Sequence, residues 1–96
     1  MITPLTDAEI ATALRGLPGW SHQRAALERE YRFADFRAAL AFMVRAGFEA
    51  EAVNHHPEWT NVYNRVSVRL TTHDAGGRVT DKDFELARRF DAAAGV

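Results

Sequence analysis

Two hydrophobic periods alternate along the 96 residues, and each switch between them predicts a new element. Thr6-Asp7-Ala8-Glu9 has the form of a capping box. Ile10, Leu14 and Leu17 then line one side of a short first helix, which Gly16 and Pro18-Gly19 stop. Trp20 to Arg24 reads as a weakly patterned strand. From Leu27 to Phe33 the period is two, with Leu27, Arg29, Tyr31 and Phe33 on one face and Glu28, Glu30 and Arg32 on the other. Ala25-Ala26 joins these two strands. Asp35 caps a long helix, Phe36 to about Val53, whose apolar stripe runs through Phe36, Leu40, Met43, Val44 and Gly47, widened by Phe48 and Ala52. Gly47 costs this helix about 1 kcal/mol relative to alanine, so a close approach by another element, or by a second subunit, is expected there. Pro57 ends the helix by pushing His56 into an extended conformation.

A second pair of strands follows. Trp59 to Tyr63 is the first, Asn64-Arg65 the turn, and Val66, Val68 and Leu70 alternate with Ser67, Arg69 and Thr71 in the most regular strand pattern of the chain. His73 to Gly77 reads as a loop. Thr80 caps a last helix with Asp83 as its acidic third residue, and Phe84, Ala87, Phe90 and Ala94 face inward. The order α-β-β-α-β-β-α predicts an α+β fold, a four-stranded antiparallel sheet with three helices packed on one face. Repeats, linkers and low-complexity segments are absent, so residues 1–96 are expected to form a single domain.

Composition narrows the function. At 47% hydrophobic, 26% charged and net charge -1, the chain is ordinary for a globular protein. It carries no basic stripe for nucleic acid. No stretch is apolar enough to span a membrane, and the N-terminus does not read as a secretory signal, so a cytoplasmic location is expected. The absence of cysteine excludes disulfides, zinc–thiolate sites, iron–sulfur clusters and a thiol nucleophile. A core this small makes oligomerisation a natural source of extra stability.

Candidate chemistry concentrates between Glu51 and Asp74, where three of the four histidines lie. His55 and His56 stand at a helix-to-strand corner, and His73 follows the next hairpin. Imidazoles move protons near neutral pH. Glu51, four residues before His55, lies on nearly the same helical face and can orient or charge an imidazole; Asp74 and Asp83 can do similar work. Trp59 and Tyr63 can stack on a flat heterocycle, or belong to the core. Each histidine taken alone also reads as a solvated surface group, and His22 is read as structural or exposed. Three histidines can hold zinc, but adjacent His-His is not a favoured ligand spacing, and HExxH is absent. Gly76-Gly77 lacks the spacing and lysine of a phosphate loop.

Glu51-x-x-x-His55-His56-Pro57, then Tyr63, then His73 ten residues later, resembles the signature of the pterin-4a-carbinolamine dehydratase family. The block HHPEWTNVYNRVSVRLTTHDAGG is similar to that family's central segment, and the likeness runs from Glu51 to about Phe90. One departure is visible. The family usually has an aspartate nine residues after the third histidine; here Lys82 holds that place and Asp83 follows it, with one residue inserted around Arg78-Val79. The resemblance implies a hydro-lyase that dehydrates 4a-hydroxytetrahydrobiopterin to quinonoid dihydropterin, without metal or organic cofactor. It implies tetrahydrobiopterin recycling coupled to an aromatic amino acid hydroxylase, and a homodimer or homotetramer joined through a helix and a sheet edge. His55, His56 and His73 are then catalytic, and Glu51, Pro57, Trp59, Tyr63, Asp74 and Asp83 line or support the pterin site. Relatives that act as a dimerisation cofactor for a homeodomain transcription factor, or as accessory proteins, leave a binding role open, as does another pterin substrate.

Overall fold

The computed structural model describes residues 2–96. Its elements are α1 (Asp7–Leu14), β1 (Ser21–Gln23), β2 (Ala26–Arg32), α2 (Phe36–Ala52), β3 (Glu58–Val62), β4 (Arg65–Leu70), a 3-10 turn (His73–Ala75) and α3 (Asp81–Ala94). The strands form one antiparallel sheet in the order β1-β2-β4-β3. The three helices cover one face of it. On β4 the alternation reads directly as sidedness: Val66, Val68 and Leu70 are buried beneath the helices, while Ser67 is exposed on the open face. That open face is polar, tied by the surface ion pairs of Arg69 with Glu28 and Glu58, which contribute little each.

Local signals hold at most element ends. Thr6 and Glu9 form the capping box of α1, and its hydrogen bonds hold the Glu9 carboxyl below its usual range. Asp35 accepts from the Ala38 amide at 2.8 Å to start α2. Two turns differ from the pattern. The β1–β2 turn is Arg24-Ala25, both residues at positive φ (50° and 65°), and Ala26 already belongs to β2. The β3–β4 turn is Tyr63-Asn64, with Tyr63 at φ 50°.

The long helix corrects the reading of its faces. Its buried side is Ala39, Phe42, Ala46 and Ala50. Phe42 supplies the bulk, with ring centroids 4.7 Å from Tyr31 and 5.1 Å from Phe33. The alanines let the helix lie close against the sheet. Phe36, Leu40, Val44 and Phe48 of the expected stripe are instead exposed, from 44% at Phe36 to 72% at Phe48. Gly47 faces the Trp59 indole, and a Cβ there would meet it at 4.0 Å, an ordinary contact.

The end of α2 is set three residues before Pro57. Asn54 takes φ 50°. Its amide donates to the Glu51 carbonyl at 3.1 Å, and the His55 amide to the Ala50 carbonyl at 3.0 Å. This pair of bonds is a Schellman motif with asparagine in the left-handed position.

Candidate active site

The Schellman turn reverses the chain and sends the His55 ring inward; the residue is 9% exposed. Its Nε2 lies 2.6 Å from Asp83 Oδ1. Asp83 is fully buried in the first turn of α3. Its other oxygen, Oδ2, accepts from the Thr72 hydroxyl at 2.8 Å and from the Thr80 amide at 2.9 Å. The two threonine hydroxyls are 2.6 Å apart. Three donors thus converge on one carboxylate, which matches its acceptor-only ionised form. The bond to Asp83 calls for hydrogen on His55 Nε2. Nδ1 has no partner among the described residues, yet no buried side-chain nitrogen or oxygen there lacks one. Nδ1 therefore keeps some contact with solvent.

His56 is turned outward. Its Nε2 lies 2.8 Å from Glu51 Oε1, with both side chains largely in solvent, so the contact orients the ring more than it stabilises the fold. His73 opens the 3-10 turn after β4. It is exposed and makes no side-chain hydrogen bond among the described residues, and neither does Asp74 beside it. The turn is closed by backbone bonds: the Thr72 amide to the Arg78 carbonyl at 2.9 Å, and the Ala75 and Gly77 amides to the Thr72 carbonyl at 3.0 and 3.1 Å. Asp83, one place later than the resemblance implies, reaches His55. The Asp83 carboxylate thus links the His55 corner to the residue preceding His73.

Other residues of the signature are placed differently. Pro57 is half-buried at the corner. Trp59 faces the helices, stacked on Phe90 with centroids 5.8 Å apart, and so underpins the corner from the core. Tyr63 is 63% exposed at the far end of the β3–β4 hairpin, about 16 Å along the chain from Glu58, and is not brought to the histidines. His22 is half-buried on β1. Among the described residues no three His, Asp or Glu side chains are arranged to hold one metal ion. A concavity of about 910 Å³ lies over the sheet and is lined by residues of all four strands. None of the three histidines lines it; Pro57, next to His56, does. We place the candidate site by its chemistry, at the margin of this hollow. Thr72 and Thr80 carry no sequence signal of a site; Thr80 reads only as a helix cap.

A sequence profile described as pterin 4 alpha carbinolamine dehydratase matches residues 3–93. The chain belongs to the pterin-4a-carbinolamine dehydratase family. This family is one of hydro-lyases, and its activity is dehydration of a pterin carbinolamine. A protein of Opitutus terrae is 64% identical over 96 residues, covering 100% of this chain and 99% of its own. One from Solibacter usitatus is 55% identical over 94 residues, covering 98% of each. Both bear the name "Putative pterin-4-alpha-carbinolamine dehydratase". The crystal structure titled transcriptional coactivator/pterin dehydratase from Brucella melitensis superposes with a TM-score of 0.91 at 45% identity, over 96% of this chain and 99% of that one. No helix among the described residues is long and apolar enough to cross a membrane.

Proposed function

We propose that this chain dehydrates 4a-hydroxytetrahydrobiopterin to quinonoid dihydropterin by histidine acid/base catalysis. The observation that carries this reading is the buried His55–Asp83 pair, which leaves one imidazole nitrogen reachable from solvent. In the reaction the C4a–O bond breaks. The leaving hydroxyl takes a proton from one imidazole and departs as water. The adjacent ring nitrogen gives its proton to a second imidazole, and its electron pair closes the new C–N double bond. No electrons are exchanged with any other reagent.

His55 and His73 are the acid and base. His56 positions the pterin, oriented by Glu51 and anchored by Pro57, and Asp74 adds polar character beside His73. Asp83 holds His55, and Trp59 supports the corner from within. The product feeds a reductase that recycles tetrahydrobiopterin for an aromatic amino acid hydroxylase, in the cytoplasm. The exposed apolar face of α2 supports assembly into a homodimer or homotetramer. The test is a single-turnover dehydration assay on His55→Ala, His56→Ala and His73→Ala. The His55 and His73 variants are expected to lose about a hundredfold or more, the usual contribution of a positioned proton donor or acceptor; His56→Ala is expected to act mainly on KM. Three folded variants at the wild-type rate would sink the assignment. A non-catalytic binding role is favoured by one observation, the coactivator title of the Brucella structure; an inactive wild-type chain would favour it.

A further inference from the structure

We propose that Thr72 is a positioning residue for both proton-transfer histidines. Its side chain and its backbone act on different ones. The hydroxyl is buried and lies between two oxygens, Asp83 Oδ2 at 2.8 Å and Thr80 Oγ1 at 2.6 Å. Thr80 Oγ1 also accepts from the Lys82 amide at 3.2 Å. Hydrogen accounting fixes the direction of the chain. The Thr72 proton goes to the carboxylate, so the Thr80 hydroxyl donates to Thr72. Successive hydrogen bonds of this kind polarise one another. The result is a carboxylate pinned on Oδ2 by Thr72 and by the Thr80 amide, with Oδ1 aimed at His55 Nε2. The His55 ring is thereby kept with hydrogen on Nε2 and with Nδ1 as its working nitrogen.

The Thr72 backbone meanwhile closes the turn that carries His73. Its amide and carbonyl take three bonds, to Arg78, Ala75 and Gly77. Among the described residues Thr72 is thus the one whose side chain reaches His55 through Asp83 and whose backbone roots the His73 turn. Losing the hydroxyl leaves Oδ2 held by the Thr80 amide alone, so the carboxylate turns more readily and specifies the His55 tautomer less strictly. The turn bonds, made by the main chain, survive that change.

This inference rests on the dehydratase reading for its kinetic half only. The test therefore pairs nitrogen-15 NMR of the imidazoles with the single-turnover assay, on wild type, Thr72→Val and Thr72→Ser. In the neutral form of wild-type His55, hydrogen is expected on Nε2 and the unprotonated resonance on Nδ1. Thr72→Val is expected to mix the two tautomers and to lower kcat about tenfold, the size of one lost hydrogen bond to a charged group, with KM little changed. Thr72→Ser is expected to restore both. A wild-type His55 with hydrogen on Nδ1 overturns the proposal without any variant. So does a folded Thr72→Val with the wild-type tautomer and kcat. If the wild type has no dehydratase activity, the function above fails, while the tautomer comparison still decides whether Thr72 positions His55.

Discussion

Replacing Asp83 separates its two duties, holding the fold and setting the chemistry of His55. Three donors point at its carboxylate: His55 Nε2, the Thr72 hydroxyl and the Thr80 amide. Alanine leaves all three without an acceptor in a fully buried place. Each stranded group costs about 1–3 kcal/mol. Allowing for water entering the space, Asp83→Ala is expected to lose about 3–5 kcal/mol, a large part of the roughly 5–15 kcal/mol that holds a small domain folded. Asparagine is different. Its single oxygen has to face Thr72 and Thr80, because both are donors there. Its NH2 then meets His55, and the ring has to offer Nε2 as an acceptor and carry its hydrogen on Nδ1. Asp83→Asn is thus expected to cost only about 1–2 kcal/mol while lowering the dehydration rate about a hundredfold, the low end for a positioned proton acceptor. Urea denaturation of both variants measures the first quantity; the single-turnover rate of the Asn variant measures the second. An Asp83→Asn enzyme at the wild-type rate would refute the tautomer argument, and an Asp83→Ala protein as stable as wild type would refute the accounting of its hydrogen bonds.

Two further outcomes are expected. Light scattering at micromolar concentration should give wild type a mass well above the 10.8 kDa of one chain, and Val44→Glu with Phe48→Glu should bring it down to the monomer; a monomeric wild type rules out assembly through α2. Burial first, and then the bond to Asp91, push the Tyr31 hydroxyl far above its usual range. The unfolded chain ionises this group near pH 10, before the folded one does, so the stabilisation present below that pH is lost as pH rises above it, by up to about 1.4 kcal/mol per pH unit. Tyr31→Phe should flatten this alkaline loss in urea titrations, and parallel curves for the two proteins would refute the reasoning.

What could be read in the chain depended on how local each cause was. The caps at Thr6, Asp35 and Thr80 are made within three residues, and all three start helices where expected. The alternation on β4 follows from one buried and one open face, and it survives intact. The end of α2 near Val53 was legible, but its cause was not, because proline is a loud signal and one asparagine in the left-handed region is a quiet one. The histidines were conspicuous by type. The Thr72–Asp83 bond joins residues eleven positions apart across a loop and a helix start, and neither hydroxyl carries a pattern that would announce it. Tyr63 belongs to the motif in spacing, but the hairpin carries it away from the corner within one chain.

The misread face of α2 has a physical lesson of its own. Hydrophobic periodicity weights residues by size and apolarity, so Phe36, Leu40, Val44 and Phe48 outweigh Ala39, Ala46 and Ala50. A helix lying close on a sheet needs small side chains on its inner side, and there only Phe42 is large among the buried residues. Such a helix has a weak inner stripe by necessity. A strong stripe on the other side is then extra. Four large apolar residues at successive turns, left 44% to 72% exposed, form a contiguous patch of the kind that marks a contact surface. The pattern identified a face suited to being covered; the described residues of this chain leave it exposed.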